Sequence, residues 1–238
     1  MIPRVKELAD ADDGWTRAMA DRVLVQCPGT REFLDSRFPV ETWPWALGQI
    51  VPGASREERD RNLNARLTNI LSGSDEAARL ETLGLVGGNH YRAPVNQIQV
   101  DAQVIEAIIP LTQSESEEER RRAAYALATI HHIDPVRSRT TLVKLARDPS
   151  GVVRQMIAFG LSDQLEVPEV QAAISALLED PLPKVRYFTI LALGPGKFVS
   201  NLRDLASCDD PETAKNAAGA LERLRQQATQ ALTPVRMR

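Results

Sequence analysis

Between residues 140 and 193 the apolar positions fall into short helical runs that come in pairs, each pair divided by a polar turn. In 140–147 (TTLVKLAR), Leu142, Leu145 and Ala146 share one helical face, and the pattern resumes over 152–163 with Val153, Ile157, Ala158 and Leu161. Asp148-Pro149-Ser150-Gly151 lies between them, a run of turn-forming residues. The next pair follows the same plan. Residues 170–179 (VQAAISALLE) and 184–193 (KVRYFTILAL) flank Asp180-Pro181-Leu182-Pro183, and Gly194-Pro195-Gly196 stops the second run.

These pairs superimpose without a gap at an offset of 32 residues, so that Asp148 meets Asp180, Pro149 meets Pro181, Val153 meets Val185 and Arg154 meets Arg186. A third pair covers 201–207 and 213–226 around Asp209, Asp210 and Pro211, and an upstream pair covers 101–112 and 117–130. A helical hairpin cannot bury its own apolar stripe, but stacked hairpins form a continuous core. Small residues such as Ala123, Ala124, Ala217 and Ala218 suit close helix approach. The pattern predicts an all-α superhelix over 97–226, a loop at 131–140 and a tail at 227–238. Residues 1–96 are less regular and read as a helical cap or subdomain. Its helices are expected at 2–10, 14–25, 30–38, 56–73 and 75–88, with an irregular crossing at 89–100.

One spacing recurs. A basic residue follows a turn residue by six positions in Asp148/Arg154, Asp180/Arg186 and Asp209/Lys215, with Ser114/Arg120 as the uncharged version and Gly73/Arg79 as a degenerate one. An Asp ahead of a helix caps exposed N–H groups, and it can also meet a basic side chain of its own or the next repeat. Asp148, Asp180, Asp209, Arg120 and Lys215 are therefore expected to form a structural ladder with Arg154 and Arg186.

The Asp-Pro turn, the following Val-Arg and the late Ala-Leu make residues 101–226 resemble HEAT-like repeats of the short bacterial type. The resemblance implies a right-handed solenoid whose second helices line a concave surface. It implies a protein-binding scaffold as the commonest role. Relatives that are enzymes, phycobilin lyase subunits and alkylpurine DNA glycosylases, supply two alternatives: a lyase or chaperone for a small molecule or modified protein, and a DNA-binding enzyme. The resemblance carries no catalytic residue onto this sequence.

Composition narrows the choice. The formal net charge is -3 over 238 residues, without the basic face of a duplex binder. Nucleic acid is therefore disfavoured, and a protein or peptide is the expected partner. Cys27 and Cys208 stand far apart and form no metal-binding spacing. His131 and His132 are adjacent and point in different directions on a helix, so neither a metal nor a cofactor is expected. The start, MIPRVKELADADDG, lacks an apolar signal core, which gives a cytoplasmic expectation with no membrane span. No nucleophile elbow, P-loop or dinucleotide fingerprint occurs. Candidate binding residues are Trp43 and Trp45, which flank Pro44, together with Tyr125, Tyr187, Arg154 and Arg186. Aromatic and Arg side chains dominate interface anchors.

Overall fold

A computed structural model of the chain describes residues 2–39, 41, 50–53, 55–88 and 99–232, without the side chains of 14, 15 and 227–232. All regular elements among the described residues are helical. They form two compact units, Met1–Ser138 and Arg139–Arg238. The boundary expected at 96/97 falls in the crossing at 89–98, outside the described residues.

The first unit holds α1 (Ile2–Leu8), α2 (Gly14–Leu24), α3 (Arg31–Arg37), α4 (Arg56–Leu71), α5 (Glu76–Val86), α6 (Ala102–Leu111) and α7 (Glu117–Ile130). Helices α1/α2, α4/α5 and α6/α7 pack as hairpins, and α4 stacks on α6 as α5 stacks on α7. The stripe read from the sequence of α4 is the buried one: Leu63, Leu67, Ile70 and Leu71 are all in the core. Opposite them lie Val104, Ile105 and Ile108 of α6. Ala123, Ala124 and Leu127 of α7 are fully buried, as the close approach of α5 and α7 requires.

The division between units falls inside α8 (Pro135–Leu145). This helix corrects the expected loop at 131–140. Asp134-Pro135 starts a helix there, because proline suits the first helical position and Asp134 accepts the Arg137 N–H. The second unit continues with α9 (Gly151–Arg154), α10 (Ile157–Leu161), α11 (Pro168–Leu178), α12 (Pro183–Leu193), a short 3-10 turn, α13 (Val199–Leu205) and α14 (Pro211–Leu232). The single helix expected over 152–163 is divided at Gln155–Met156, where the Met156 N–H turns to the Val153 carbonyl three residues back. Helix α14 runs to Leu232, beyond the expected start of a tail at 227. One core cluster joins α12, α13 and α14 through Tyr187, Ile190, Leu202, Leu205, Ala217 and Ala220.

Candidate binding surface

The six-residue spacing has a backbone cause. Each second helix begins after a cap residue, and the residue four positions beyond the cap returns its own N–H to the cap carbonyl. This holds for Arg17 on Asp13, Arg79 on Asp75, Arg120 on Ser116, Arg154 on Ser150 and Arg186 on Leu182. Helical side chains lean toward the N-terminus. From this position the guanidinium reaches back to the turn, and Nη1 donates to the carbonyl six residues earlier. The distances are 2.9 Å for Arg17 to Ala11, 2.7 Å for Arg79 to Gly73, and 2.9 Å for Arg120 to Ser114. They are 2.7 Å for Arg154 to Asp148 and 2.6 Å for Arg186 to Asp180. The side chain six residues back is thus irrelevant to this bond, and Ala11, Gly73 and Ser114 serve as well as Asp.

The acid comes from further along the chain. Arg154 Nε and Nη2 donate to Asp180 at 2.6 and 3.0 Å, a bidentate pair that links one turn to the next. Asp180 also accepts the Leu182 N–H, and Asp148 accepts that of Ser150. The Asp180 carboxylate raises the pKa of Arg154 above its ordinary value. Arg79 Nε donates to Glu119 at 2.5 Å, and Arg17 holds Glu41 at two points, 3.0 and 3.2 Å. The rung geometry of the repeats is therefore present in α2 and α5, in the part that reads as irregular from sequence.

Gly53 lies under a related bond on α4, where Arg59 Nη1 donates to the Gly53 carbonyl at 3.3 Å. Gly53 has φ 145, and a Cβ there would stand 2.8 Å from the Arg59 backbone nitrogen. Helix backbone cannot yield as a flexible side chain can. Gly53→Ala is expected to lose about 2 kcal/mol in urea denaturation; an unchanged midpoint would show that the start of α4 re-forms around the methyl.

The last pair departs from the expected ladder. In α14 the residue whose N–H returns to the cap carbonyl is Ala214, bonded to Asp210 at 2.9 Å, so Lys215 sits one residue past the rung position. Lys215 is exposed, and so is Asp209. Asp210 acts instead of Asp209, accepting the Thr213 N–H at 3.0 Å and the Thr213 hydroxyl.

The remaining candidates separate. Tyr187 is only 5% exposed and donates to the Asn216 carbonyl, stacking edge-on against Phe188 inside the core cluster. It is not available on an open face. Tyr125 is half-buried with its ring against Gly87, where a Cβ would approach within 2.7 Å. Trp43 and Trp45 lie outside the described residues, and so does the side chain of Trp15. The charged run on α7 closes on itself. Arg121 and Arg122 both donate to Glu118, and the Arg121 bond first of all holds that carboxyl well below its usual range, at about 2. Arg122 also donates to the Leu80 carbonyl of α5. His131 pairs with the Ala128 carbonyl and touches His132 edge-on. Among the described residues no group of three or more His, Cys, Asp or Glu is placed to hold a metal, and no helix is long and apolar enough to cross a membrane.

What the sequence reading missed is an apolar strip across α9 and α10, the divided second helix of the first pair in the second unit. Val152 is 42% exposed and Phe159 44% exposed, with half-buried Met156 between them. The i, i+4, i+7 spacing was legible in the sequence beside the buried Val153, Ile157, Ala158 and Leu161, and in the structure it crosses the division at Gln155–Met156, with Val152 on α9 and Phe159 on α10. An open cleft of about 540 Å³ lies at the other end of this unit, lined by Val199, Ala218, Leu221 and Leu224 with Arg203, Glu222 and Arg225.

No family model and no curated protein matches the sequence. Among solved structures, YibA from E. coli aligns over 92% of this chain and 81% of its own, with 21% identity and a TM-score of 0.56. The chain has the fold of a helical repeat protein. The chain also aligns with an engineered protein at 20% identity, covering 94% of this chain and 96% of that one with a TM-score of 0.47. A designed armadillo repeat protein in complex with the peptide (KR)4 aligns at 20% identity over 93% and 98%, with a TM-score of 0.36.

Proposed function

We propose that the protein is a scaffold that binds another protein or a peptide, and that the second unit contributes its second-helix face. The observation that carries this reading is the strip of Val152, Met156 and Phe159, beside a rung that is already satisfied. Arg154 has its donors committed to Asp180 and to two turn carbonyls, so its role is to fix the turns. Large aliphatic and aromatic side chains held on such a fixed frame lose little conformational freedom on binding. They gain roughly 25 cal/mol for each Å² of apolar surface covered.

The test compares the wild-type chain with Val152→Glu/Phe159→Glu as bait in quantitative affinity capture. Both positions are exposed, so thermal unfolding is expected to stay within about 0.5 kcal/mol of wild type. Partners retained by the wild type should be lost from the variant at least about tenfold. Equal retention by both baits would remove this face from the binding surface.

A further inference from the structure

Among the described residues the ladder of the second unit has an open rung at Arg186. Arg186 Nη1 is fixed on the Asp180 and Pro181 carbonyls at 2.6 and 3.2 Å, as Arg154 is fixed on those of Asp148 and Pro149 at 2.7 and 3.1 Å. Arg154 then gives Nε and Nη2 to the acid of the following turn. The same two donors of Arg186 have no partner among the described residues. The sequence supplies the reason. The last pair is shorter, so its rung position is Ala214, and the residue six before it is Cys208. Cys208 therefore stands where Asp148 and Asp180 stand in the two preceding turns. Asp210 does not replace the missing acid, because it caps α14 through Thr213.

We propose that the open edge of Arg186 docks a carboxylate of a partner segment, an Asp or Glu side chain held at two points as Arg154 holds Asp180. The inference rests on the scaffold reading and names the chemistry of its ligand. Arg186 is half-buried and already oriented by two carbonyls. A planar guanidinium fixed in this way loses little freedom when the second edge is filled. Two further features fit a segment in which the acid neighbours an apolar residue. Leu182, the cap residue four positions before Arg186, is 45% exposed. Lys215, on α14, is exposed and without a partner among the described residues, and adds a positive charge to this unit.

The experiment uses the full chain and two peptide libraries that differ only in one fixed residue, Glu or Gln, flanked by degenerate positions. Glu peptides are expected to be enriched about tenfold over Gln peptides, the range of a charge-assisted pair over a neutral one. Arg186→Gln should erase that preference. Cys208→Asp should erase it too, because it supplies the missing acid from within the chain, and it should raise the thermal midpoint. In the Arg186→Gln background Cys208→Asp should leave the midpoint unchanged. A Glu preference that survives both variants, or a Cys208→Asp chain no more stable than wild type, would overturn the proposal while the scaffold reading stood. If neither library is retained the proposal also falls, and the scaffold reading is then judged by the separate capture on Val152→Glu/Phe159→Glu.

Discussion

Arg154→Met is expected to destabilise the protein by about 3 kcal/mol, far more than a surface ion pair would contribute. The side chains of Arg154 and Asp180 are 12% and 5% exposed, so little water remains to solvate the carboxylate left behind. The substitution also frees the Asp148 and Pro149 carbonyls at the start of α9. Asp180→Asn should cost less, about 1–2 kcal/mol, because an amide oxygen can still accept the Leu182 N–H. The double variant Arg154→Met/Asp180→Asn should recover part of the loss, since neither member then leaves a buried charge. Equilibrium unfolding in urea for the four chains gives the coupling directly. A coupling near zero would mean that the rung is a surface ornament and that packing alone holds these turns.

The second large effect has the opposite sign. Asp21 on α2 is fully buried, and both carboxylate oxygens lack a hydrogen-bond partner among the described residues. Arg37 Nε stands 3.3 Å from Oδ1 but out of hydrogen-bond line, and the rest of its guanidinium is engaged by Asp10 and Glu41. Glu41 is held in turn by Arg17. Burial pushes the Asp21 carboxyl up from 3.8 to about 6, against the attraction of Arg37. The folded state therefore binds more protons than the unfolded chain between these values. Stability rises as pH falls from above 6 toward 4, and this contribution is lost as pH rises through about 6. Asp21→Asn removes the charge that is costly to bury. It should stabilise the protein at about pH 7.5 by up to about 3 kcal/mol and flatten the dependence below it. Melting curves across this range decide the matter: a variant less stable than wild type at about pH 7.5 would show that Asp21 is held ionised by Arg37.

The helix pairs of the second unit were legible because turn chemistry and apolar spacing agree there. Asp-Pro marks each turn, and Val153, Ile157 and Leu161 recur as Val185, Thr189 and Leu193 on the following second helix. The same Asp-Pro signal misled at Asp134-Pro135, where it opens a helix rather than filling a loop. The rung at Arg17 was hidden, and that at Arg79 showed only as a degenerate spacing, for a different reason. The constant element of the geometry is a carbonyl, which every residue possesses, so Ala11 and Gly73 leave no trace in side-chain chemistry. The acids that complete those rungs, Glu41 and Glu119, lie 24 and 40 residues away, at distances that no fixed spacing announces. Tyr187 and Phe159 illustrate the limit for a surface. Both are aromatic residues on second helices, and only the packing of α12 against α14 decides that the first is buried. In Lys215 a one-residue shift of the cap was enough to move a basic side chain off the rung.

The claim that the second-helix face of the second unit binds a partner is tested most directly by placing a photo-cross-linking amino acid at Phe159 and, in a separate chain, at Gln171, an exposed position on the first helix of the next pair. Illumination in native extract should yield a discrete adduct from position 159 and none from 171, and Val152→Glu should abolish it. Adducts from 171 with none from 159, or equal adducts from both, would contradict the account.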